Sequence, residues 1–199
     1  YSECLWILIP PSLALSMTQI LISKNIIDSG KEIYLYTVPP LVICLILVLY
    51  ANYLVDIKKI VGIFLLLIVF IRTNKYSEKL IKNMVTNYRR LSLITIGAIH
   101  GLSNLGGGPL SAMMSIIHSD QEKIRVNIAF VYFIFALSQL LVLFFIDTFS
   151  MDISYILFIG IAVIINLLFG KRISGKIDKS KYNIMINIIV FCFGIICLL

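Results

Sequence analysis

Uninterrupted apolar runs, separated by short polar stretches, follow one another along the whole chain. The runs do not alternate between apolar and polar positions with a period of two, so they predict helices rather than β-strands. Most of them approach the length that a helix needs to cross a hydrocarbon core of about 30 Å. We therefore predict six spanning helices, at residues 4–22, 33–55, 60–71, 126–146, 153–170 and 182–199.

The composition places these helices in a membrane. The chain is 60% hydrophobic and 14% charged, and its mean hydropathy is +1.00, more apolar than a soluble domain of this size can be. Backbone groups in lipid need internal hydrogen bonds, which helices provide. We expect an all-α, multi-pass membrane protein. The net charge of +7 arises in short loops between the runs, which sets membrane orientation and implies no nucleic-acid partner.

The basic loops predict the topology. Residues 72–90 carry six Lys or Arg and residues 171–181 carry five, so both loops are expected in the cytoplasm. Residues 147–152 contain two acids and no base, and are placed outside. The helix at 126–146 then runs outward from the cytoplasm. The segment 91–118, which precedes it, therefore begins and ends on the cytoplasmic side.

The segment 91–118 is predicted to be a re-entrant helical hairpin. Its limbs, 91–104 and 109–118, would be about 21 and 15 Å long as helices. Each is too short to span the bilayer but long enough to reach its midplane. Between them lie Leu105-Gly106-Gly107-Gly108. Non-helical backbone at that depth is tolerated where protein or a wet cavity surrounds it, so the tip should line a cavity.

The order of the segments predicts an inverted repeat. Residues 1–72 would form a first repeat of three spans, residues 73–90 a basic cytoplasmic linker, and residues 91–199 a second repeat of hairpin plus three spans. Connecting segments of similar sequence precede the third span of each repeat: Val55-Asp56-Ile57-Lys58-Lys59-Ile60 and Lys176-Ile177-Asp178-Lys179-Ser180-Lys181. The first repeat lacks a hairpin of its own, and we expect the native protein to begin before Tyr1 with about 30–40 further residues.

The inventory of charged side chains restricts the chemistry. All ten Asp and Glu residues lie outside the predicted spans or at their ends. Carboxylates inside the membrane are typical of cation pumps, so their absence favours an anionic or neutral substrate. We expect no metal, no cofactor and no catalytic residue in this chain.

The tip of the hairpin carries groups that suit an anion. Its second limb would begin there, which brings the positive end of a helix dipole and free backbone amides to the midplane. Pro109 suits a first helical turn, and glycines let a ligand approach the backbone closely. We predict a substrate site formed by His100, Ser103, Asn104, Gly106, Gly107, Gly108 and Gln139.

Some of these side chains also have structural interpretations. Ser103 and Asn104 could donate to an oxyanion or cap the broken helix ends. His100 could donate to an anion, take up a coupling proton, or be a neutral histidine bonded to a neighbouring helix. Gln139 could instead form an interhelical hydrogen bond.

Other residues of the apolar runs are interpreted as packing residues. Gly97 and Gly101 would let two helices approach closely. Ser16 and Gln19 are expected to form interhelical hydrogen bonds. The Phe and Tyr residues of 126–146 are expected to pack or to face lipid.

The hairpin sequence resembles the second-repeat signature of the sulfite exporter TauE/SafE family, a glycine-spaced helix followed by a glycine-rich turn. The matching residues are Gly97-Ala98-Ile99-His100-Gly101-Leu102-Ser103-Asn104-Leu105-Gly106-Gly107-Gly108-Pro109-Leu110. The closing segment from Gly170-Lys171-Arg172-Ile173 onward is also similar to the family's. The resemblance implies a four-span inverted-repeat permease, here without its N-terminal hairpin. It also implies transport of sulfite, an organosulfonate or a related sulfur oxyanion by alternating access.

Three classes of function are compared. A transporter of a small anion accounts for the glycine-broken hairpin. A membrane-embedded enzyme would need paired His, Cys or carboxylates at helical spacing, which the sequence lacks. An accessory or structural subunit is the alternative, but it would not need the hairpin. The expected partners are a small anion and the lipid bilayer of a bacterial-type plasma membrane. A coupling proton or ion and a homo-oligomer are both compatible with the sequence.

Overall fold

The chain is helical throughout the part that the structure describes. In this computed structural model the described residues are 2–23, 31–51, 85–118, 120–146 and 153–170, with scattered positions between 59 and 83 and between 184 and 198. The helices are α1 (Ser2–Ile22), α2 (Lys31–Ala51), α3 (Arg89–Ser103), α4 (Gly107–Ile117), α5 (Gln121–Ile146) and α6 (Ile153–Ile165), with a π-helical turn at Asn166–Gly170.

The prediction of an all-α, multi-pass membrane protein is confirmed. The described residues include no strand, and three helices are long and apolar enough to cross a membrane: Ser2–Ile22, Lys31–Tyr50 and Gln121–Ile146. Half of the residues in each of the predicted spans 60–71 and 182–199 lie outside the described residues, and the loops 147–152 and 171–181 lie wholly outside them. The division into two repeats stays a prediction.

Proline pairs lie inside two of the long helices without ending them. Pro10 and Pro11 are within α1, and Pro39 and Pro40 are within α2. Proline removes a backbone donor and usually breaks a helix in water. Membrane helices tolerate it because neighbouring helices satisfy the carbonyls that it leaves unpaired.

The segment 91–118 is broken, as predicted, and does not cross the membrane as one helix. α3 ends at Ser103 and α4 begins at Gly107. Side chains of both limbs belong to one apolar cluster with α2 and α5, called here the hairpin cluster, whose buried members are Ile33, Leu41, Val85, Leu93, Ile96, Leu110, Met113, Met114, Val131 and Phe135.

α3 packs along α2, and the two helices run in the same direction. At their beginnings the guanidinium Nε of Arg89 lies 3.8 Å from Glu32 Oε2. Further along, Gly97 lies against the backbone of Thr37, where an added Cβ would collide with the carbonyl oxygen. The predicted topology starts the helix at 33–55 and the hairpin on the same side of the membrane, and this parallel packing agrees with it.

The packing of α3 on α2 also shows how far along α2 the break lies. Gly101 lies against the backbone of Leu41, ten residues after Lys31 at the beginning of α2. Ten residues of helix rise about 15 Å, which is half of a hydrocarbon core of about 30 Å. α3 therefore ends beside the middle of a candidate membrane span. Gly97 and Gly101 are packing residues, as predicted, because any side chain there would separate α3 from α2.

A second apolar cluster lies beyond the hairpin, where α1, α2 and α5 meet. Its buried members are Leu5, Trp6, Ile9, Leu45, Ala136, Val142 and Leu143. Apart from Leu45 of α2, these residues come from the beginning of α1 and the second half of α5, so α1 and α5 run antiparallel. The break between α3 and α4 consequently lies between two apolar layers.

Candidate functional site

The break begins at Asn104, which has a left-handed backbone conformation. Its φ is 58° and its ψ is 16°, and its N–H donates to the His100 carbonyl at 2.8 Å. Asn104 has the one positive φ among the described non-glycine residues. Asparagine adopts this conformation more readily than most residues because its short side chain bonds locally. The sequence therefore ends α3 with a residue suited to a helix C-cap.

Ser103 bonds backbone groups in the last turn of α3 and within the break. Its hydroxyl donates to the Ile99 carbonyl at 2.8 Å and accepts the N–H of Leu105 at 3.3 Å. The beginning of α4 has no side-chain cap, so Ser103 does not cap that helix. A role in substrate binding stays a prediction.

Gly106 is held by the side chain of His100. The Gly106 N–H donates to His100 Nδ1 at 3.2 Å. The contact needs a glycine, because a Cβ at Gly106 would lie 2.7 Å from the His100 Cβ. Since Nδ1 accepts this bond, the neutral imidazole carries its proton on Nε2. His100 is 2% exposed, so the ring is enclosed at the break.

Gln139 of α5 bonds the side chain of Asn104. Its Nε2 donates to Asn104 Oδ1 at 3.3 Å. Gln139 is 1% exposed. Two of the side-chain hydrogen bonds at the break thus run from Gly106 to His100 and from Gln139 to Asn104. Because the Asn104 oxygen accepts from Gln139, its side-chain NH2 group is the donor that it can offer to a ligand.

The beginning of α4 brings backbone donors to the same place. The first helical bond runs from Leu110 N–H to the Gly106 carbonyl at 3.0 Å. The amides of Gly107 and Gly108 precede that bond and point out of the helix end. Pro109 occupies the first turn, where no N–H is needed. α4 begins two residues before the predicted limb, so the glycines belong to its first turn.

Tyr132 also reaches the break, and the sequence did not single it out. A Cβ added to Gly107 would collide with the Tyr132 hydroxyl. The Tyr132 ring lies edge-on to the His100 ring with centroids 5.6 Å apart, while Phe135 lies 4.5 Å from His100. Tyr132, Phe135 and Gln139 are spaced three and four residues apart, on one face of α5. That spacing from Gln139 was the signal that could have revealed them.

The surroundings of the break are polar without being charged. The described residues of α3 after Arg90, of α4, and of α5 after Arg125 include no Asp, Glu, Lys or Arg. Across the described part of the chain, no cluster of three or more His, Cys, Asp or Glu could hold a metal ion. The site therefore offers N–H and O–H donors at a helix N-terminus in a shell of low polarity, an arrangement that suits an anion.

A second polar contact connects α1 with the π-helical turn. Gln19 Nε2 donates to Asn166 Oδ1 at 3.4 Å, which confirms the interhelical hydrogen bond predicted for Gln19. Ser16 is buried in α1. This contact joins α1 to the π-helical turn after α6 and does not involve the residues of the break between α3 and α4.

These features define a multi-pass helical membrane protein with a helix broken beside the middle of a candidate span and neutral donors at the break. The family model described as Sulfite exporter TauE/SafE matches residues 5–196. The chain belongs to the sulfite exporter TauE/SafE family, whose members are transporters rather than enzymes. Neither the curated proteins nor the solved structures include a match to this chain.

Proposed function

We propose that this protein carries a small sulfur oxyanion, such as sulfite or an organosulfonate, across a bacterial-type plasma membrane by alternating access. Family membership supports a membrane exporter of sulfite or a related sulfur anion. The observation that carries the finer proposal is the hydrogen bond from Gln139 of α5 to the side chain of Asn104. Asn104 lies three residues before the first residue of α4. We infer that its NH2 group and the amides of Gly107 and Gly108, three and four residues further along the chain, bind the same anion.

The donors at the break suit an oxyanion because several of its oxygens can accept at once. We place the anion against the Asn104 Nδ2 group, the amides of Gly107 and Gly108, and the Tyr132 hydroxyl. A hydrogen bond to a charged group contributes about 1.5–3 kcal/mol. Four such bonds give roughly 6–12 kcal/mol before the costs of binding, which is enough for the micromolar to millimolar affinity that a carrier needs.

Neutral donors are also the arrangement that the membrane favours. A Lys or Arg at the middle of the bilayer costs about 2.5–3.5 kcal/mol to insert. The amides of a helix end carry partial positive charge without that cost. The anion can therefore bind at the break and still be released, because no permanently charged side chain holds it there.

Alternating access requires that the break open to each side in turn. The hairpin cluster covers it on one side and the second cluster covers it on the other, and His100, Gly106 and Gln139 are buried between them. Packed apolar layers rearrange between discrete states rather than deform continuously. We place the two gates in these two clusters.

The experiment is transport by the purified protein in liposomes, with radiolabelled sulfite and with thiosulfate and methanesulfonate as competitors. Asn104→Gly keeps the left-handed backbone but removes the side-chain donor, so the KM for the anion should rise about tenfold, as expected for one lost hydrogen bond. Ser115→Ala, at an exposed position of α4, is the matched control and should transport like the parent.

Binding and transport can be scored separately. A specific anion should raise the thermal stability of the parent by about 2.7 kcal/mol at one hundred times its Kd. If none of the three anions stabilises the protein or crosses the membrane with it, the transporter assignment fails and the accessory-subunit alternative gains. If Asn104→Gly transports with an unchanged KM, the anion does not bind at the break.

A further inference from the structure

His100 occupies a backbone donor that an anion would otherwise use. In the structure its Nδ1 accepts the Gly106 N–H at 3.2 Å, and the ring is enclosed beside Tyr132 and Phe135 of α5. Because Nδ1 accepts this bond, the proton of the neutral ring is on Nε2. The Gly106 amide is thereby withheld from the ligand.

A proton on Nδ1 reverses this arrangement. The ring would then hold an N–H donor 3.2 Å from the N–H of Gly106, and two donors cannot bond each other. The contact must open, which frees the amide and places a positive charge beside it. An oxyanion can accept from the Nδ1–H and the Gly106 N–H together and replace the bond that the proton removed.

We propose that His100 takes up one proton for each anion bound at the break, so that the protein cotransports protons with its substrate. This inference rests on the proposed function and extends it to the coupling ion. On loading, a proton adds to Nδ1 of the neutral imidazole and the anion bridges the imidazolium and the Gly106 amide. On release the anion leaves, Nδ1 loses the proton, and the Gly106 bond forms again. A monovalent anion then crosses without net charge.

Few other groups near the ring can change charge. Among the described residues that contact His100 from α5, only Tyr132 is titratable, and α4 contains no titratable residue. From α2, the nearest is Cys44, whose Cβ lies beside Gly101. The ion pair of Arg89 and Glu32 is at the opposite end of α3, about 15 Å away by helix rise. Of these groups, histidine is the one whose ordinary pKa lies nearest neutrality, so the pH dependence should belong to His100.

The test compares two single-residue variants with the parent at pH 5.5 to 8.5. His100→Asn keeps an acceptor near the position of Nδ1 but cannot take up a proton. The chain has one other histidine, His118 at the end of α4, and His118→Asn is the matched control. The Kd for sulfite is measured by thermal stabilisation of each protein. Sulfite itself changes charge in this range, so the quantity scored is the ratio of the variant's Kd to the parent's.

One coupled proton makes the parent's affinity fall by up to about tenfold per pH unit above the transition. The Kd ratio for His100→Asn should therefore change by at least about tenfold across the series, while the ratio for His118→Asn stays constant. If the His100→Asn ratio is constant within about twofold, the coupling proposal is wrong and the transporter proposal stands. If sulfite stabilises none of the proteins at any pH, both proposals are wrong.

A folding defect in His100→Asn would not leave the proposal undecided. The parent alone can be titrated with methanesulfonate, whose single charge is constant over this pH range. An affinity for methanesulfonate that falls with rising pH supports proton uptake by the protein. An affinity that is independent of pH contradicts it.

Discussion

Gly107 gives the sharpest test of the geometry at the break, because one atom limits the space there. A Cβ at this position would collide with the Tyr132 hydroxyl, whereas the next atoms, Tyr132 Cζ and Cε2, would lie 3.0 and 3.5 Å away. Gly107→Ala should therefore force either α4 or the Tyr132 ring to move. Removing the hydroxyl in Tyr132→Phe should remove most of the overlap.

The magnitude follows from two opposing effects. Forcing an extra methyl group into a packed site costs about 1–3 kcal/mol. Alanine gains up to about 1 kcal/mol over glycine in helix propensity. The net loss for Gly107→Ala should be about 1–2 kcal/mol, which lowers the Tm by roughly 2–8 °C in a chain of this size. Gly160 of α6 has no atom within 4 Å of an added Cβ, so Gly160→Ala should not be destabilised.

The assay is thermal unfolding of the purified variants in one detergent, followed by transport in liposomes. The double variant Gly107→Ala/Tyr132→Phe should recover most of the stability that Gly107→Ala loses. Transport should not recover, because the Tyr132 hydroxyl is also a proposed donor to the anion and its loss should raise the KM about tenfold. If the double variant is as unstable as Gly107→Ala alone, the hydroxyl does not set the space at Gly107 and the placement of Tyr132 is wrong.

Three further outcomes are expected. Gly101→Val should lower the yield of folded protein in the membrane much more than Gly160→Val, measured by detergent size-exclusion chromatography, because its side chain would meet the backbone of α2. Gln139→Leu should reduce sulfite flux at least tenfold at equal protein density, because it removes the donor whose hydrogen bond the Asn104 side-chain oxygen accepts. Glu32→Gln should change thermal stability by less than about 1 kcal/mol, because its ion pairs are 3.8 and 3.9 Å long and partly exposed; a larger loss would show that they orient α3 on α2.

Several boundaries differ from those predicted by hydropathy, and the differences have a local cause. α5 begins at Gln121, whereas the apolar run suggested residue 126. The Asp120 carboxylate accepts the Glu122 N–H at 2.9 Å, so a polar first turn is capped ahead of the apolar part. Hydropathy marks the part of a helix that lies in lipid, and capping groups decide where the helix starts.

The residues of the predicted site were selected from the sequence by their local chemistry, but their roles depend on contacts between segments far apart in the chain. His100, Asn104 and Gly106 are close in sequence, and a polar residue in a broken apolar segment is a natural candidate. Gln139 is 35 residues from Asn104 along the chain, and only the fold shows that their side chains bond. The sequence left the role of His100 open, and the fold reveals that its Nδ1 accepts the Gly106 amide.

The sequence by itself determined that this is an all-α membrane protein with a helix broken at a glycine triplet. Hydropathy, helix length and the glycine triplet are local properties, and the cost of exposed backbone in lipid leaves few alternatives. Only the tertiary structure decided that α3 lies parallel to α2, that Tyr132 reaches Gly107, and that Gln139 of α5 bonds Asn104. Those features depend on distances between segments far apart in the chain, which hydropathy and spacing do not specify.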